Sequence, residues 1–172
     1  MRHLIVFAFI IMFAACATAQ SPAQQPLCSS DQYKQFDFWI GTWDVTDLNG
    51  KTAGRNVITS EEAGCLILET WTSVSGSTGQ SYNFYDPGTK IWRQLWVSAG
   101  AVIDYSGGLT ETGSMLLEGE IKYHSGATAP FTGEWTLQED GTVRQHFEQF
   151  DAESNSWKPW FTGIYTKVPP EP

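Results

Sequence analysis

From residue 39 to residue 167 apolar and polar side chains alternate in short runs, with Val, Ile, Thr, Tyr, Phe and Trp gathered between clusters of Gly, Asn, Asp and Ser. A period of two sends successive side chains to opposite faces of a strand, so each run reads as a strand with one covered face. The pattern predicts ten strands, near 39–48, 53–61, 65–74, 80–86, 91–98, 101–108, 114–122, 129–138, 142–150 and 157–167. Turn chemistry separates them: Asn49-Gly50, the strongest two-residue hairpin signal, then Ser75-Gly76-Ser77-Thr78-Gly79, Asp86-Pro87-Gly88, Ala99-Gly100, Thr112-Gly113, Glu139-Asp140-Gly141 and Ser154-Asn155-Ser156. Hairpin follows hairpin with no helical period between them. A meander of that many strands removes its exposed edges by closing. The expected fold is therefore all-β, a single antiparallel up-and-down β-barrel of about ten strands, with a β-sandwich as the other solution. Ahead of it, Asp31 to Phe38 is expected to form a short helical turn across the barrel mouth, with Asp31 as its N-cap.

The start of the chain has a different character. Arg2 and His3 precede an apolar run from Leu4 to Ala15, and Ala17-Thr18-Ala19 follows before Gln20. This is the three-part pattern of a secretory signal peptide over residues 1–19, cut after Ala19. The run is shorter than the roughly 20 apolar residues that span a bilayer, and no other segment approaches that length, so no membrane span is expected. Phe13-Ala14-Ala15-Cys16 also resembles a bacterial lipobox, which would instead anchor the chain through a lipidated Cys16. Either cut exports the chain, to the periplasm or exterior in one case and as a lipoprotein in the other. Residues 20–30, rich in Pro, Gln, Ser and Ala, read as a linker. What remains, 31–168, suffices for one domain with a real core.

Nineteen acidic residues against ten basic ones give a net charge of −9. That field repels phosphate backbones, so nucleic acid is excluded as a natural partner. Cys28 and Cys65 survive cleavage at Ala19, and an even pair in an exported protein is most simply a disulfide. It would close 37 residues of separation, for which loop-closure entropy gives on the order of 3–4 kcal/mol. A metal site or reactive thiol is the competing reading, but no further Cys or nearby His supplies ligand spacing.

Eight Trp fall between residues 39 and 160. Core packing accounts for most of them. Trp43 is expected to plug the barrel floor beneath Lys167 or Lys158. Some period-two faces, however, mix aromatic bodies with hydrogen-bonding groups: Ile67-x-Glu69-x-Trp71-x-Ser73, Ser81-x-Asn83-x-Tyr85 and Trp92-x-Gln94-x-Trp96. Pointed inward, they enclose an amphipathic cavity to which Asn56 also contributes. Pointed outward, they leave Leu66-x-Leu68 and Ile91-x-x-x-Leu95-x-Val97 to build an apolar core. Glu69, between Ile67 and Trp71, is a candidate anchor or proton donor because burial raises a carboxyl pKa. Arg144, His146 and Glu148 succeed one another on one strand face about 6–7 Å apart. They form either a carboxylate-binding or acid–base group or a solvated charge ladder. No Gly-x-Ser-x-Gly elbow occurs, Gly107-Gly108 is not followed by a helix pattern, and the count of histidines excludes a His-rich metal cluster unless carboxylates supply the other ligands.

The motifs Phe36-Asp37-Phe38-Trp39-Ile40-Gly41-Thr42-Trp43-Asp44-Val45, Gly64-Cys65-Leu66-Ile67-Leu68-Glu69-Thr70-Trp71, Ser81-Tyr82-Asn83-Phe84-Tyr85-Asp86, Trp92-Arg93-Gln94-Leu95-Trp96-Val97 and Gly163-Ile164-Tyr165 carry a resemblance. Together they resemble a family of small exported bacterial proteins of unknown function, lipocalin-like and grouped with the DUF1579-type domains, over nearly all of residues 31–168. The resemblance implies a calycin-type barrel opening on Gly41 and Trp43 and a Cys28–Cys65 pair, and it carries no established reaction. The fold is also similar to that of the nitrobindin family of ten-stranded haem-binding barrels. Their histidine ligand lies near the C-terminus, where Phe161 to Lys167 has none, so no cofactor is expected. The functional expectation is an exported barrel that binds or carries a small amphipathic or aromatic molecule through Asn56, Glu69, Trp71, Ser81, Asn83, Tyr85, Gln94, Trp96, Arg144 and Glu148. The alternatives are a small-substrate enzyme using Glu69 or Glu148 as acid or base, and a cavity-free envelope module.

Overall fold

A computed structural model describes residues 27–169. The signal peptide, Cys16 and residues 20–26 of the linker lie outside them. The strands are Gly41–Thr46 (β1), Thr52–Glu61 (β2), Leu66–Ser73 (β3), Thr78–Asp86 (β4), Ile91–Ser98 (β5), Ala101–Leu109 (β6), Met115–Tyr123 (β7), Thr128–Leu137 (β8), Val143–Asp151 (β9) and Ser156–Lys167 (β10). Each pairs antiparallel with the next, and β10 returns to pair with β1, Trp43 opposite Lys167. The closed ten-strand barrel is the fold the alternation predicted.

Five hairpins share one turn. The N–H of Asp47, Ser73, Thr110, Tyr123 or Gln138 bonds to the carbonyl four residues on, and a glycine N–H three residues on bonds back to the first carbonyl. Gly50, Gly76, Gly113, Gly126 and Gly141 hold φ between 76° and 91° there. A left-handed residue after a turn matches the right-handed twist of the flanking strands, and glycine adopts it without steric cost. The Asn49-Gly50 signal is therefore met by a longer loop than two residues, with the Asp47 carboxylate accepting from the N–H of Asn49 at 2.8 Å and of Lys51 at 2.9 Å.

The predicted helical turn is two 3-10 turns, Asp31–Lys34 and Asp37–Trp39. Ser30, with extended backbone (φ −73°, ψ 160°), takes the cap position and Asp31 is the first turn residue, so the N-cap expectation shifts by one. The second turn absorbs Trp39, which delays β1 to Gly41. There φ is +150° and a Cβ would lie 2.8 Å from Lys167 Cε, two reasons that favour glycine. Lys167 Nζ sits 5.3 Å from the Trp43 ring centroid, so it is Lys167 and not Lys158 that covers this Trp. The two turns close one end of the barrel. Phe36 and Trp39, both wholly buried, stack on each other with ring centroids 4.9 Å apart; Phe36 meets Trp92 at 5.8 Å and Trp135 at 5.3 Å, and Trp39 meets Trp135 at 5.5 Å. Trp43 Nε1 donates to the Trp39 carbonyl at 2.9 Å, and Trp92 Nε1 to Gln35 Oε1 at 3.1 Å. The Cys28–Cys65 disulfide, Cα atoms 5.0 Å apart, ties the segment leading into the plug to the start of β3. Among the described residues no helix is long and apolar enough to cross a membrane.

Candidate functional site

The barrel interior is layered. Above the aromatic plug lies a belt of buried polar side chains, and above the belt a cavity of about 300 Å³ opens toward the other end. The cavity follows from which faces turn inward. Ile67, Glu69 and Trp71 on β3, Ser81 and Asn83 on β4, and Trp92, Gln94 and Trp96 on β5 all point inside. Leu95 and Val97 are exposed on the outer wall, 40% and 48% accessible. The aromatic and polar faces are thus the inner ones.

Two glycines shape the walls. A Cβ on Gly79 would fall 2.1 Å from Trp96 Cζ2, and one on Gly54 would fall 2.6 Å from Trp71 Cη2. Each indole lies flat over a bare backbone on the adjacent strand, which leaves the centre open. On the far side Phe147 and Phe161 complete the wall. Trp160 covers the rim because β10 bulges beside it: Pro159 pairs with Glu148 and Phe161 with Phe147, so Trp160 is the extra residue. A bulge re-aims a side chain in this way. Its ring packs 5.5 Å from Phe131, and its Nε1 donates to Tyr123 Oη at 3.2 Å.

At the cavity floor a chain of donors converges on Glu69. Asn56 Nδ2 donates to Glu69 Oε1 at 2.7 Å, and Ser81 Oγ to Oε2 at 2.5 Å. Ser81 in turn accepts from Asn83 Nδ2 at 2.8 Å; Asn83 Oδ1 accepts from Gln94 Nε2, and Gln94 Oε1 from Tyr105 Oη. On the other side Tyr165 Oη accepts from Asn56 Nδ2 at 3.3 Å and donates to Gln145 Oε1 at 2.7 Å. Glu69 is 3% exposed and no basic side chain among the described residues pairs with it, so desolvation raises its pKa from 4.5 to about 7 against the lowering effect of the Ser81 and Asn56 hydrogen bonds. Burial and then the nearby Glu69 push the phenols of Tyr105 and Tyr165 well above the usual range. The arrangement combines flat aromatic walls with one ionisable group poised near neutrality, able to hold, donate or accept a proton.

The sequence candidates separate into four groups. Glu69, Trp71, Gln94 and Trp96 line the cavity. Asn56, Ser81 and Asn83 lie behind the floor, wholly buried, and orient Glu69. Tyr85 belongs to the plugged end, its ring 5.2 Å from Tyr33 and 6.3 Å from Trp92. Arg144 and Glu148 are corrected outright. The inward positions of β9 are Val143, Gln145 and Phe147, so both charged residues stand on the outer wall. Arg144 Nη1 lies 3.8 Å from Glu134 Oε2 and Glu148 Oε1 lies 3.8 Å from His146 Nε2, the solvated charge ladder. Tyr105, Gln145, Phe147, Trp160, Phe161 and Tyr165 line the cavity without having been singled out. Ile103-x-Tyr105, Gln145-x-Phe147 and Phe161-x-Gly163-x-Tyr165 repeat the mixed period-two face that marked β3 to β5, and that signal would have found all but Trp160. Among the described residues no group of His, Cys, Asp and Glu is placed to hold a metal ion. No protein-family model matches the chain, and no curated protein matches it.

Proposed function

We propose that this barrel is an exported binding protein of the lipocalin-like, DUF1579-type family that holds a small amphipathic molecule in its open half. The observation that carries the reading is the cavity itself, aromatic on its walls and with its buried polar groups gathered at its floor. Its volume of about 300 Å³ lies at the lower end of small-molecule sites. An apolar cavity of about 150 Å³ accepts benzene, so an occupant of about two rings fits. The ligand's body stacks between Trp71, Trp96 and Phe147, and its polar end reaches the floor.

Native and denaturing mass spectra of protein purified from its exported form test whether a stoichiometric small molecule accompanies it. For the empty protein, 2-naphthol titrated by calorimetry is the probe. Replacing Trp96 with Ala is expected to weaken 2-naphthol at least about tenfold while the far-UV spectrum is retained, because the ring supplies much of one wall. Unchanged affinity moves the site elsewhere.

A second reading is favoured by one observation, a buried carboxyl with a pKa of about 7 beside an apolar cavity, the condition for a general acid or base at neutral pH. It expects turnover of some component of a metabolite extract and loss of that turnover in Glu69→Gln. Turnover that survives the substitution excludes Glu69 from that role. Glu148, on the outer wall, has no part in it.

A further inference from the structure

The chemistry of the cavity narrows its ligand further than its size does. Trp71, Trp96, Phe147, Trp160 and Phe161 turn five aromatic rings toward the space, and among the described residues no Lys, Arg or His lines it. The ionisable groups on the lining are Glu69 and the phenols of Tyr105 and Tyr165. An anion placed there meets a carboxylate in a water-poor site with no cation to compensate, which is costly.

The hydrogen bonds have the same polarity. Tyr105 and Tyr165 each donate their O–H to a glutamine, so their phenol oxygens have only lone pairs left to offer, one of those on Tyr165 already taken by Asn56 Nδ2. Each Glu69 oxygen accepts one bond from the protein, leaving about two of its four lone-pair sites open. Asn56 Oδ1, behind the same floor, is buried and has no hydrogen-bond partner among the described residues. The N–H donors left among the lining residues are the amides of Gln145 and Gln94 and the indoles of Trp71 and Trp96, which suit a neutral acceptor but neutralise no charge. Ring faces carry negative quadrupole potential, and a cation is attracted to several of them at once when water is excluded.

Resting on the binding reading above, we infer that the ligand is an organic cation, a small aromatic or branched ammonium whose nitrogen sits over the Glu69 carboxylate among the Trp and Phe faces.

Proton exchange follows from this. The groups that face Glu69 are Asn56 on β2, Ser81 on β4, Gln94 on β5, Tyr105 on β6, Gln145 on β9 and Tyr165 on β10, and only the two phenols among them titrate, far above neutrality. The empty barrel holds a proton on Glu69 below about pH 7, and a bound cation expels it.

The test uses three probes of similar shape followed by tryptophan fluorescence: benzyltrimethylammonium, its uncharged carbon isostere neopentylbenzene, and phenylacetate. None of them titrates between pH 5.5 and 8. At pH 8 the quaternary ammonium is expected to bind at least about tenfold more tightly than the isostere, with phenylacetate weakest. Lowering the pH to 5.5 is expected to weaken the ammonium about thirtyfold and leave the isostere unchanged. Glu69→Gln is expected to remove that pH dependence; should the variant fail to fold, the wild-type pH series decides alone. An isostere that matches the ammonium, or phenylacetate that binds as well, overturns the cation proposal and leaves the cavity as a binding site. A cation preference without pH dependence removes Glu69 from the site and overturns it too. Failure of all three probes to bind overturns both the proposal and the reading beneath it.

Discussion

Replacing Trp135 with Ala is expected to lower the stability of the barrel by about 3–5 kcal/mol, the largest loss any single side chain of the plug should produce. Trp135 is fully buried, and its ring meets Phe36 at 5.3 Å, Trp39 at 5.5 Å, Phe147 at 5.6 Å and Tyr105 at 6.1 Å between centroids. It thus touches the plug, the polar belt and the cavity wall at once. Strands cannot close around the hole its removal leaves, because the barrel circumference is fixed by ten hydrogen-bonded pairings. Domains of this size are stable by about 5–15 kcal/mol, so the variant should sit at the margin of folding. Trp135→Phe is the informative companion. Trp135 Nε1 is buried with no hydrogen-bond partner among the described residues, so the Phe variant removes an unpaired donor along with part of the ring and should lose much less. Urea unfolding midpoints of the two variants check this. A loss under about 1 kcal/mol for the Ala variant shows that the plug is dispensable and that stability resides in the strand ladder.

The strands were legible because their two determinants are local. Alternation shows in any window of six residues, and the turn glycines 50, 76, 113 and 141 announce themselves by their neighbours. The plug was legible only in part. Trp43 was placed by its motif, but the burial of Phe36 and Trp39 depends on Trp92 and Trp135, which are distant along the chain and meet them only when the barrel closes.

The site was harder to read for a physical reason: an antiparallel strand shows its period and not its polarity. On β5, Trp92-x-Gln94-x-Trp96 and Leu95-x-Val97 are both plausible inner faces by hydropathy, and only the wide barrel interior, which has room for indoles and needs partners for amides, selects the first. Arg144 and Glu148 failed on the same ambiguity. Their strand alternates Gln145 and Phe147 with three charged or titratable residues, and the ionisable groups cluster on the face that water covers. Trp160 was harder still, since its aim depends on a bulge whose one sequence signal is Pro159, which cannot donate to a regular ladder.

Between pH 4 and pH 8 the wild type is expected to lose about 3 kcal/mol of stability relative to Glu69→Gln, a change that isolates the carboxyl from every other titrating group. The sign follows from linkage. Burial raises the Glu69 pKa from 4.5 in the unfolded chain to about 7 in the barrel, so between those values the native state holds a proton that the unfolded state has released. Stability from this group is full below pH 4.5 and is lost as pH rises through 7. At about 1.4 kcal/mol for each tenfold change in proton affinity the loss is about 3 kcal/mol, or a fall of about 6–12 °C in Tm. The Gln variant carries no charge to desolvate, and the N–H it introduces can meet the unpartnered Asn56 Oδ1 once that amide turns. It is therefore expected to match the wild type at pH 4 and exceed it at pH 8, with thermal melts across the range as the measurement. A carboxylate that weakens the fold at neutral pH, held by two donors at the base of an aromatic cavity, is the kind of locally unfavourable feature that accompanies a binding or catalytic task. Parallel pH profiles for the two proteins would mean that Glu69 ionises without penalty. In that case water already reaches the floor, and the polar belt is a hydrated layer instead of the dry base on which selection for a cation depends.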